Sequence, residues 1–516
     1  MADQIKTKNN NAHYVQKMRA KLFDIEARKL IAIIHEIDAK ELGIMPLDRI
    51  EIYCPITKKR VTTVADLTTT MVKKNEIGLF KDVSRELGIK KCDFLEVKAS
   101  PQPESVTYIK KKMKGEKLSF EEISEIVRDI GKNKLDEIEI SAFMAAVYIH
   151  GFDLDETTSM TRALLLDGKQ LKIEKTPVVD KHCIGGINGR ATMIVVPIVA
   201  AAGCYIPKTS SRAVTSCAGT ADAMEVLAPV NLSIEQIKSI TEKIGGVIVW
   251  GGAVDLAPVD DKIIKIEHPL ALDPEGQIIA SVVSKKASVG AKYVVFDLPV
   301  GPDVKIQTRE RAENLAKKFI EVGKKLGMKV EALITDGTEP SGKAFGPALE
   351  AKYVLEILEG KRFDNLAQKA CELAGALLEL CGKAQRGKGF DAAKQLLANK
   401  KALEKMRQII KAQGGKTLSS EDTKLAKFKH VVRANGDGTV KSINVRLLST
   451  IARIAGAPAD SRAGVMLLVS KGEKLKPEQP LFEIYAENMR KLELAGEFAK
   501  KNSAVETGEI VLEKFE

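Results

Sequence analysis

Between residues 119 and 130 the apolar positions recur at helical spacing, with Phe120, Ile123, Ile126, Val127 and Ile130 on one face. Ser119-Phe-Glu-Glu122 opens that stretch as a capping box: the serine oxygen and the glutamate carboxylate each satisfy an orphan N–H, and Gly131 suits the stop. Two more helices are expected around Ile140–His150 and Asp155–Leu166, so residues 104–168 read as helical. From about Thr176 the pattern changes. Strand-like runs at Pro177–Val179, Val247–Trp250, Tyr293–Leu298 and Val330–Ile334 alternate with helix-like runs at Thr192–Ala202, Glu235–Ile244, Arg309–Leu326 and Ala348–Leu358. This alternation predicts an α/β domain with a largely parallel sheet. The segment from about Pro258 to Gly290 interrupts it and is expected to pack back on the helical part. After about Phe428 the chain is strand-rich again, Asn435-Gly-Asp-Gly438 is a strong turn signal, and a small α+β domain is expected.

An internal repeat precedes the helices. Leu42-Gly-Ile-Met-Pro-Leu-Asp-Arg-Ile-Glu-Ile52 recurs as Leu87-Gly-Ile-Lys-Lys-Cys-Asp-Phe-Leu-Glu-Val97. In each copy a Leu-Gly-Ile turn leads to an Asp and a short alternating strand, which predicts a small pseudo-symmetric β-barrel. Ser100-Pro-Gln-Pro103 reads as a linker. The expected organisation is therefore a β-barrel-like domain over 1–100 and a helical domain over 101–175 that recruits part of 258–290. An α/β catalytic domain over 176–427 and an α+β domain over 428–516 follow.

Composition narrows the classes of function. A chain of 516 residues is too long for one compact core, and 44% hydrophobic content is that of a globular protein. No apolar run reaches the roughly 20 residues that span a bilayer. Met1–Asn11 is polar, so a short tail and a cytoplasmic location are expected. The seven cysteines are odd in number, scattered and never in a C-x-x-C pair. Reduced thiols packed as small hydrophobes are expected, with neither a metal site nor a disulfide framework. The net charge of +12 favours anionic partners, but it is spread along the chain as on a solvated surface. With 5% aromatic residues and no RNA-binding signature, nucleic acid is not an expected partner.

Two blocks carry the candidate chemistry. The first is Val178-Val-Asp-Lys-His-Cys-Ile-Gly-Gly-Ile-Asn-Gly-Arg190. Glycines allow close approach of backbone to an anion, and the helix pattern opening near Ala191 adds favourable partial charge. Lys181 and His182 are expected at the end of a strand, where ligands of open α/β sheets bind. The spacing is neither a Walker A nor a G-x-G-x-x-G, so no nucleoside triphosphate or dinucleotide cofactor is implied. Taken alone it is equally an ordinary glycine turn. The second block, Ser210-Ser-Arg-Ala-Val-Thr-Ser-Cys-Ala-Gly-Thr-Ala-Asp-Ala-Met-Glu225, is denser. Ser210, Ser211, Thr215, Ser216 and Thr220 offer hydroxyls and Arg212 a planar fork for phosphate, while Asp222 reads as a helix cap.

The second block resembles the signature of pyrimidine-nucleoside phosphorylases, a Ser-(Gly/Ser)-Arg-(Gly/Ala) start leading to Gly-Thr-x-Asp-x-x-Glu. The first resembles that family's Lys-His-Ser-x-Gly-Gly phosphate turn. Similarity runs from about Ser105 to the C-terminus. The added N-terminal domain and the Ser211-Arg-Ala-Val-Thr-Ser216 version of the motif resemble the family's archaeal AMP phosphorylase branch. That resemblance implies the fold of the class II nucleoside phosphorylases and conversion of AMP and inorganic phosphate into adenine and ribose 1,5-bisphosphate. CMP and UMP are further candidate substrates. No cofactor or metal is implied, phosphate being a co-substrate, and a homodimer or larger assembly is expected. Gly185, Ser211, Arg212, Ala213, Val214, Thr215, Ser216 and Thr220 match AMP-binding positions of the branch. Asp273, in Ala271-Leu-Asp-Pro274, matches its proton donor, and Ser281 and Lys305 match further substrate contacts. Lys181, His182, Thr192, Ser210 and Lys285 match positions of the wider family around phosphate and base. Arg212, Thr215, Ser216 and Lys305 are the candidates for the 5′-phosphate.

Departures from the pattern sharpen the reading. Cys183 stands where the phosphate turn usually has Ser; a thiol is a weak donor, so backbone N–H groups must compensate. It is read as a passive replacement, because glycosyl transfer to phosphate needs no protein nucleophile, and Cys217 as packing. Thymidine enzymes carry an Arg just before the matching Asp, and Ile264–Asp273 contains none. This turns the reading away from the alternative, a pyrimidine-nucleoside phosphorylase.

Overall fold

Alternating burial builds the N-terminal strands: in Arg49–Cys54 the side chains of Ile50, Ile52 and Cys54 point into a core while their neighbours do not. The computed structural model describes residues 14–27, 29–89, 94–185, 190–213, 216–254, 256–270 and 272–508. Six strands, β1 (Gln16–Leu22), β2 (Ile31–His35), β3 (Arg49–Cys54), β4 (Lys59–Thr68), β5 (Glu76–Leu79) and β6 (Leu95–Ala99), close in the order β1-β5-β2-β4-β3-β6. The internal repeat appears as pseudo-two-fold pairing. β1 runs parallel to β5 as β2 does to β4, and β2–β5 and β3–β6 are antiparallel self-matches. The Leu-Gly-Ile element is not a plain turn. It ends two short helices, α1 (Glu36–Leu42) and α2 (Lys81–Leu87), on Gly43 and Gly88 at φ 67° and 68°. Each glycine supplies the left-handed cap that a Cβ would strain. A seven-residue helix shows too little periodicity to be read from sequence. The polar tail Met1–Asn11, and Cys92 within the second copy of the repeat, lie outside the described residues.

The helices α3 (Ser105–Met113), α4 (Phe120–Gly131) and α5 (Glu137–His150) follow. The capping box of α4 forms as written: Ser119 Oγ accepts from Glu122 N at 3.2 Å, and Glu122 Oε2 accepts from Ser119 N at 2.7 Å. Ile123, Ile126, Val127 and Ile130 are buried, whereas Phe120 at the helix start is exposed.

The chain forms two compact units, Met1–Gly151 with Lys262–Pro274, and Phe152–Asp261 with Glu275–Glu516. The helix α6 (Leu154–Asp167) thus belongs to the second. Within the first unit, Lys262 Nζ donates to the carbonyls of Ile130 and Gly131 at 3.0 and 3.2 Å and to Asn133 Oδ1 at 2.6 Å. These bonds satisfy the C-terminal end of α4, which has no glycine cap after it.

The second unit is built on β7 (Val179–Cys183), β8 (Ile206–Ser210), β9 (Gly246–Trp250), β10 (Tyr293–Val300) and β11 (Lys329–Asp336). β11-β10-β7 and β8-β9 are parallel, and a parallel bridge from Val178 to Tyr205 links them. Between them run α7 (Ala191–Ala201), α8 (Thr220–Glu225), α9 (Ile234–Ile244), α10 (Pro258–Leu270), α11 (Glu275–Ser288), α12 (Arg309–Lys325), α13 (Pro347–Leu358) and α14 (Asn365–Leu380), with the latter half of α10 passing into the first unit. Both sheet faces are buried, as parallel sheets require. Val179, Ile206, Ile248 and Val295 join a core with α7, α13 and α14. On the other face, Val247, Val249, Val294 and Phe296 join α11 and α12.

Two strands depart from expectation. β7 runs from Val179 to Cys183 rather than from Pro177 to Val179, so Asp180 lies inside the strand and Lys181 and His182 stand near its C-terminal end. β8, Ile206-Pro-Lys-Thr-Ser210, was not read as a strand because its apolar run is too short. The C-terminal segment is α+β. Strands Phe428–Arg433, Gly464–Leu467 and Pro480–Ala486 pair antiparallel, and Gly438–Ile443 pairs with Lys474–Leu475 and Val505–Gly508. The Asn435–Gly438 turn therefore switches between sheets rather than closing a hairpin. Among the described residues no helix is long and apolar enough to cross a membrane.

Candidate active site

Strand β7 carries Asp180 and Lys181 into the sheet interior, where they are 0% and 2% exposed. Buried charge persists only when paired. Asp180 Oδ2 takes Lys286 Nζ at 2.5 Å, and its Oδ1 lies 3.2 Å from Lys208 Nζ. Both cations outweigh burial and hold the Asp180 carboxyl below its usual range. One carboxylate cannot serve two ammonium groups equally. Burial pushes Lys208 down, Asp180 opposes, and the neighbouring Lys286 charge adds to the fall. Lys208 is thus the cation held less tightly.

A second buried carboxylate, Asp297 on β10, receives Thr335 Oγ1 at 2.6 Å and sits 3.7 Å from Lys181 Nζ and 3.3 Å from Lys369 Nζ. Despite burial, the two lysines keep it below the ordinary carboxyl range. A third, Asp260, accepts from Ser281 Oγ at 2.6 Å and Gln277 Nε2 at 3.1 Å, and pairs with Lys285 Nζ at 2.6 Å. Ser281 and Lys285 stand one turn apart on α11, so both point to the same acid. Burial works against the Lys285 charge, but Asp260 and Asp261 raise its pKa and keep it protonated.

His182 is partly covered, yet desolvation and the charges of Lys286, Lys208, Lys181 and Lys285 push its pKa well down. It is a neutral imidazole among fixed cations, able to hydrogen-bond an anion without adding charge. Cys183 is pushed up to about 12, first by burial and then by Asp297. It is a thiol at neutral pH and no nucleophile, in keeping with a passive replacement of serine.

The turn after β7 passes close to β10. A Cβ on Gly185 would come within 2.2 Å of Pro299 Cγ, so only glycine fits. Gly185 O accepts from Lys305 N at 3.3 Å, which fixes the backbone of the expected substrate-contact Lys305 at this turn. Gly186 to Gly189 lie outside the described residues. Arg190 precedes α7 and binds the two blocks together: it forms an ion pair with the fully buried Glu350, and its Nη2 donates to Ala218 O at 3.1 Å. Thr192 lies in the first turn of α7.

In the second block Ser210 ends β8, and Ser211 to Ala213 continue from it. Asp222 Oδ2 accepts from Ala213 N at 2.7 Å and Gly219 N at 2.8 Å, holding both ends of the loop, as a cap residue should. A Cβ on Gly219 would meet Ser211 O at 2.5 Å. Thr220 is the first residue of α8, and Ser216 Oγ donates to Ala218 O at 2.9 Å. Val214 and Thr215 lie outside the described residues. Arg212 is engaged inside the loop. Glu225 takes both arms of its fork at 2.5 and 2.8 Å, Asp222 lies 3.2 Å away, and the guanidinium sits 5.0 Å from the Trp250 ring centre. Cys217 is buried, donates its N–H to Ser449 Oγ at 3.1 Å, and is pushed up to about 12 by burial. Asp273 belongs to the first unit and is exposed there. Among the described residues no group of three or more His, Cys, Asp or Glu side chains is placed to hold a metal ion.

The helical bundle domain of a glycosyl transferase family matches residues 106–168, and the a/b domain of the same family matches 175–403. AMP phosphorylase 1 of Archaeoglobus fulgidus is 44% identical over 490 residues, 94% of this chain and 96% of the relative. AMP phosphorylase of Thermococcus kodakarensis is 44% identical over 501 residues, 96% and 99% of the two chains. The chain belongs to the AMP phosphorylase family. Among solved structures, an anthranilate phosphoribosyltransferase from Thermus thermophilus is similar with a TM-score of 0.52 at 19% identity, covering 60% of this chain and 99% of that one. That likeness concerns the fold alone.

Five members of the charged cluster escaped sequence reasoning as site residues: Asp180, Lys208, Lys286, Asp297 and Lys369. The available signal was the dense run of ionisable residues, Asp180-Lys-His182, next to a glycine turn. Polar strands of this kind are rare unless their charges meet partners across the sheet.

Proposed function

We propose that the chain catalyses phosphorolysis of AMP, and of other nucleoside 5′-monophosphates such as CMP and UMP, to free base and ribose 1,5-bisphosphate. The observation that carries this reading is the lysine set around His182, which supplies fixed positive charge beside the turn at Gly185 in a chain of this family. Inorganic phosphate is held by Lys181, Lys285, His182, Thr192, Ser210 and the backbone of the glycine turn. It attacks C1′ of the ribose as the bond to adenine N9 breaks, through an oxocarbenium-like transition state whose positive charge the phosphate anion stabilises. Asp273 gives the leaving base its proton. No cofactor is needed, and the enzyme acts as a homodimer or larger assembly in the cytoplasm.

Gly185, Ser211, Ala213, Val214, Thr220 and Ser281 are assigned to the nucleotide, and Thr215, Ser216 and Lys305 to its 5′-phosphate. Arg212, whose fork Glu225 already occupies, serves that pocket by holding the loop. A charge-assisted hydrogen bond contributes about 1.5–3 kcal/mol. Lys305→Met is therefore expected to lower kcat/KM for AMP by roughly ten- to a hundredfold and to affect any reaction of adenosine far less. Equal losses on both substrates would remove Lys305 from the 5′-phosphate pocket. The function itself is tested by phosphate-dependent release of base from AMP, CMP, UMP, adenosine and thymidine in parallel. Faster release from thymidine than from AMP would overturn the reading in favour of a pyrimidine-nucleoside phosphorylase.

A further inference from the structure

Away from the charged cluster, Cys204 follows the C-terminal end of α7 and Cys381 caps the C-terminal end of α14. The helices pack against each other, and the two sulfurs lie 3.6 Å apart across 177 residues of sequence. Cys204 is buried, and Cys381 is partly open to solvent. We propose that Cys204 and Cys381 are a dithiol modification site that closes to a reversible disulfide by exchange with a low-molecular-weight or protein disulfide.

Geometry and reactivity agree. A sulfur separation of 3.6 Å is van der Waals contact, within about 1.6 Å of the roughly 2.05 Å bond. Burial pushes Cys183 and Cys217 up to about 12 and Cys371 up to about 11, which leaves them inert as nucleophiles. Cys381 differs: its sulfur shares a hydrogen bond with the Cys204 thiol, and the N–H groups of Lys383 and of Cys381 itself add to this, so its pKa is lowered. The accessible sulfur is thus the stronger nucleophile, and the buried one is placed to resolve it. In the exchange, the Cys381 thiolate attacks one sulfur of an external disulfide RSSR and expels RS⁻. The Cys204 thiol passes its proton to that thiolate, and its sulfur attacks the Cys381 sulfur of the mixed disulfide, expelling the second R group as RS⁻, which takes the proton released when Cys381 ionised. The balance is two protein thiols and RSSR giving one protein disulfide and two RSH.

The bond would tie two helix ends whose joining closes a long loop, a linkage that restricts the unfolded chain more than a short one does. It sits at the opposite end of α7 from Arg190 and Thr192, about 16 Å along the helix axis. Sequence spacing offers no hint of it, since the pair arises only where α7 and α14 meet.

The test equilibrates the full-length native chain with glutathione disulfide, traps free thiols with N-ethylmaleimide under denaturing conditions, and maps peptides by mass spectrometry. The expected result is a loss of two of the seven thiols, a Cys204–Cys381 linked peptide, reversal by dithiothreitol, and a thermal midpoint several degrees higher after oxidation. Cys204→Ser is expected to retain glutathione on Cys381, and Cys381→Ser to leave Cys204 unmodified. Seven free thiols after treatment, glutathione left on wild-type Cys381, or a link between other cysteines would overturn the proposal.

Discussion

Replacing Asp273 with Asn is expected to lower kcat for AMP phosphorolysis by about 10²- to 10⁴-fold, the range that a positioned general acid contributes. The amide keeps the shape and hydrogen-bonding reach of the side chain but has no proton to transfer. The proton moves only in the chemical step, so the loss should fall on kcat while KM for phosphate stays within a few-fold. A nucleotide whose base leaves readily without protonation should escape most of the loss. If such a substrate loses as much rate as AMP, Asp273 is not the acid.

The second large effect is on stability. Asp180→Asn removes the charge that faces both Lys208 and Lys286 in the sheet interior. Leaving buried charge uncompensated costs about 3–5 kcal/mol. Lys208, already pushed down, would shed its proton first and relieve part of the strain. The double variant Asp180→Asn with Lys208→Met should accordingly recover part of the loss. The pH dependence follows from the direction of the Asp180 shift. Its folded pKa lies below the unfolded value, so its contribution is complete above the unfolded value of 3.8 and is lost as pH falls through the folded one. Denaturant unfolding at pH 7 should separate the variant from wild type most widely, and the gap should narrow in strong acid. Coincident unfolding curves at pH 7 would show that the three charges do not act as a unit.

Much of the fold was legible because it rests on near neighbours. The capping box at Ser119 and Glu122 spans four residues, and it forms as the sequence predicts. The alternation of apolar runs exposed the parallel α/β architecture, since both faces of such a sheet are buried and its strands read as apolar. The repeat at Leu42 and Leu87 announced a pseudo-symmetric barrel, although its two short helices were hidden. The end of β7 was placed too early, at Val179 instead of Cys183, for one reason: charged residues rarely enter a sheet, and here they do.

The sequence by itself determined most of the longer helices and apolar strands, and which two blocks crowd hydroxyls, glycines and cations together. Only the tertiary structure decided what those side chains meet. Asp180 finds Lys208 and Lys286 at sequence distances of 28 and 106 residues, Asp260 gathers Ser281 and Lys285, and Glu225 claims the fork of Arg212. Periodicity reports how a residue faces its neighbours within a turn or a pleat. Charge pairing depends on which elements pack side by side, and that is set by burial of the whole sheet.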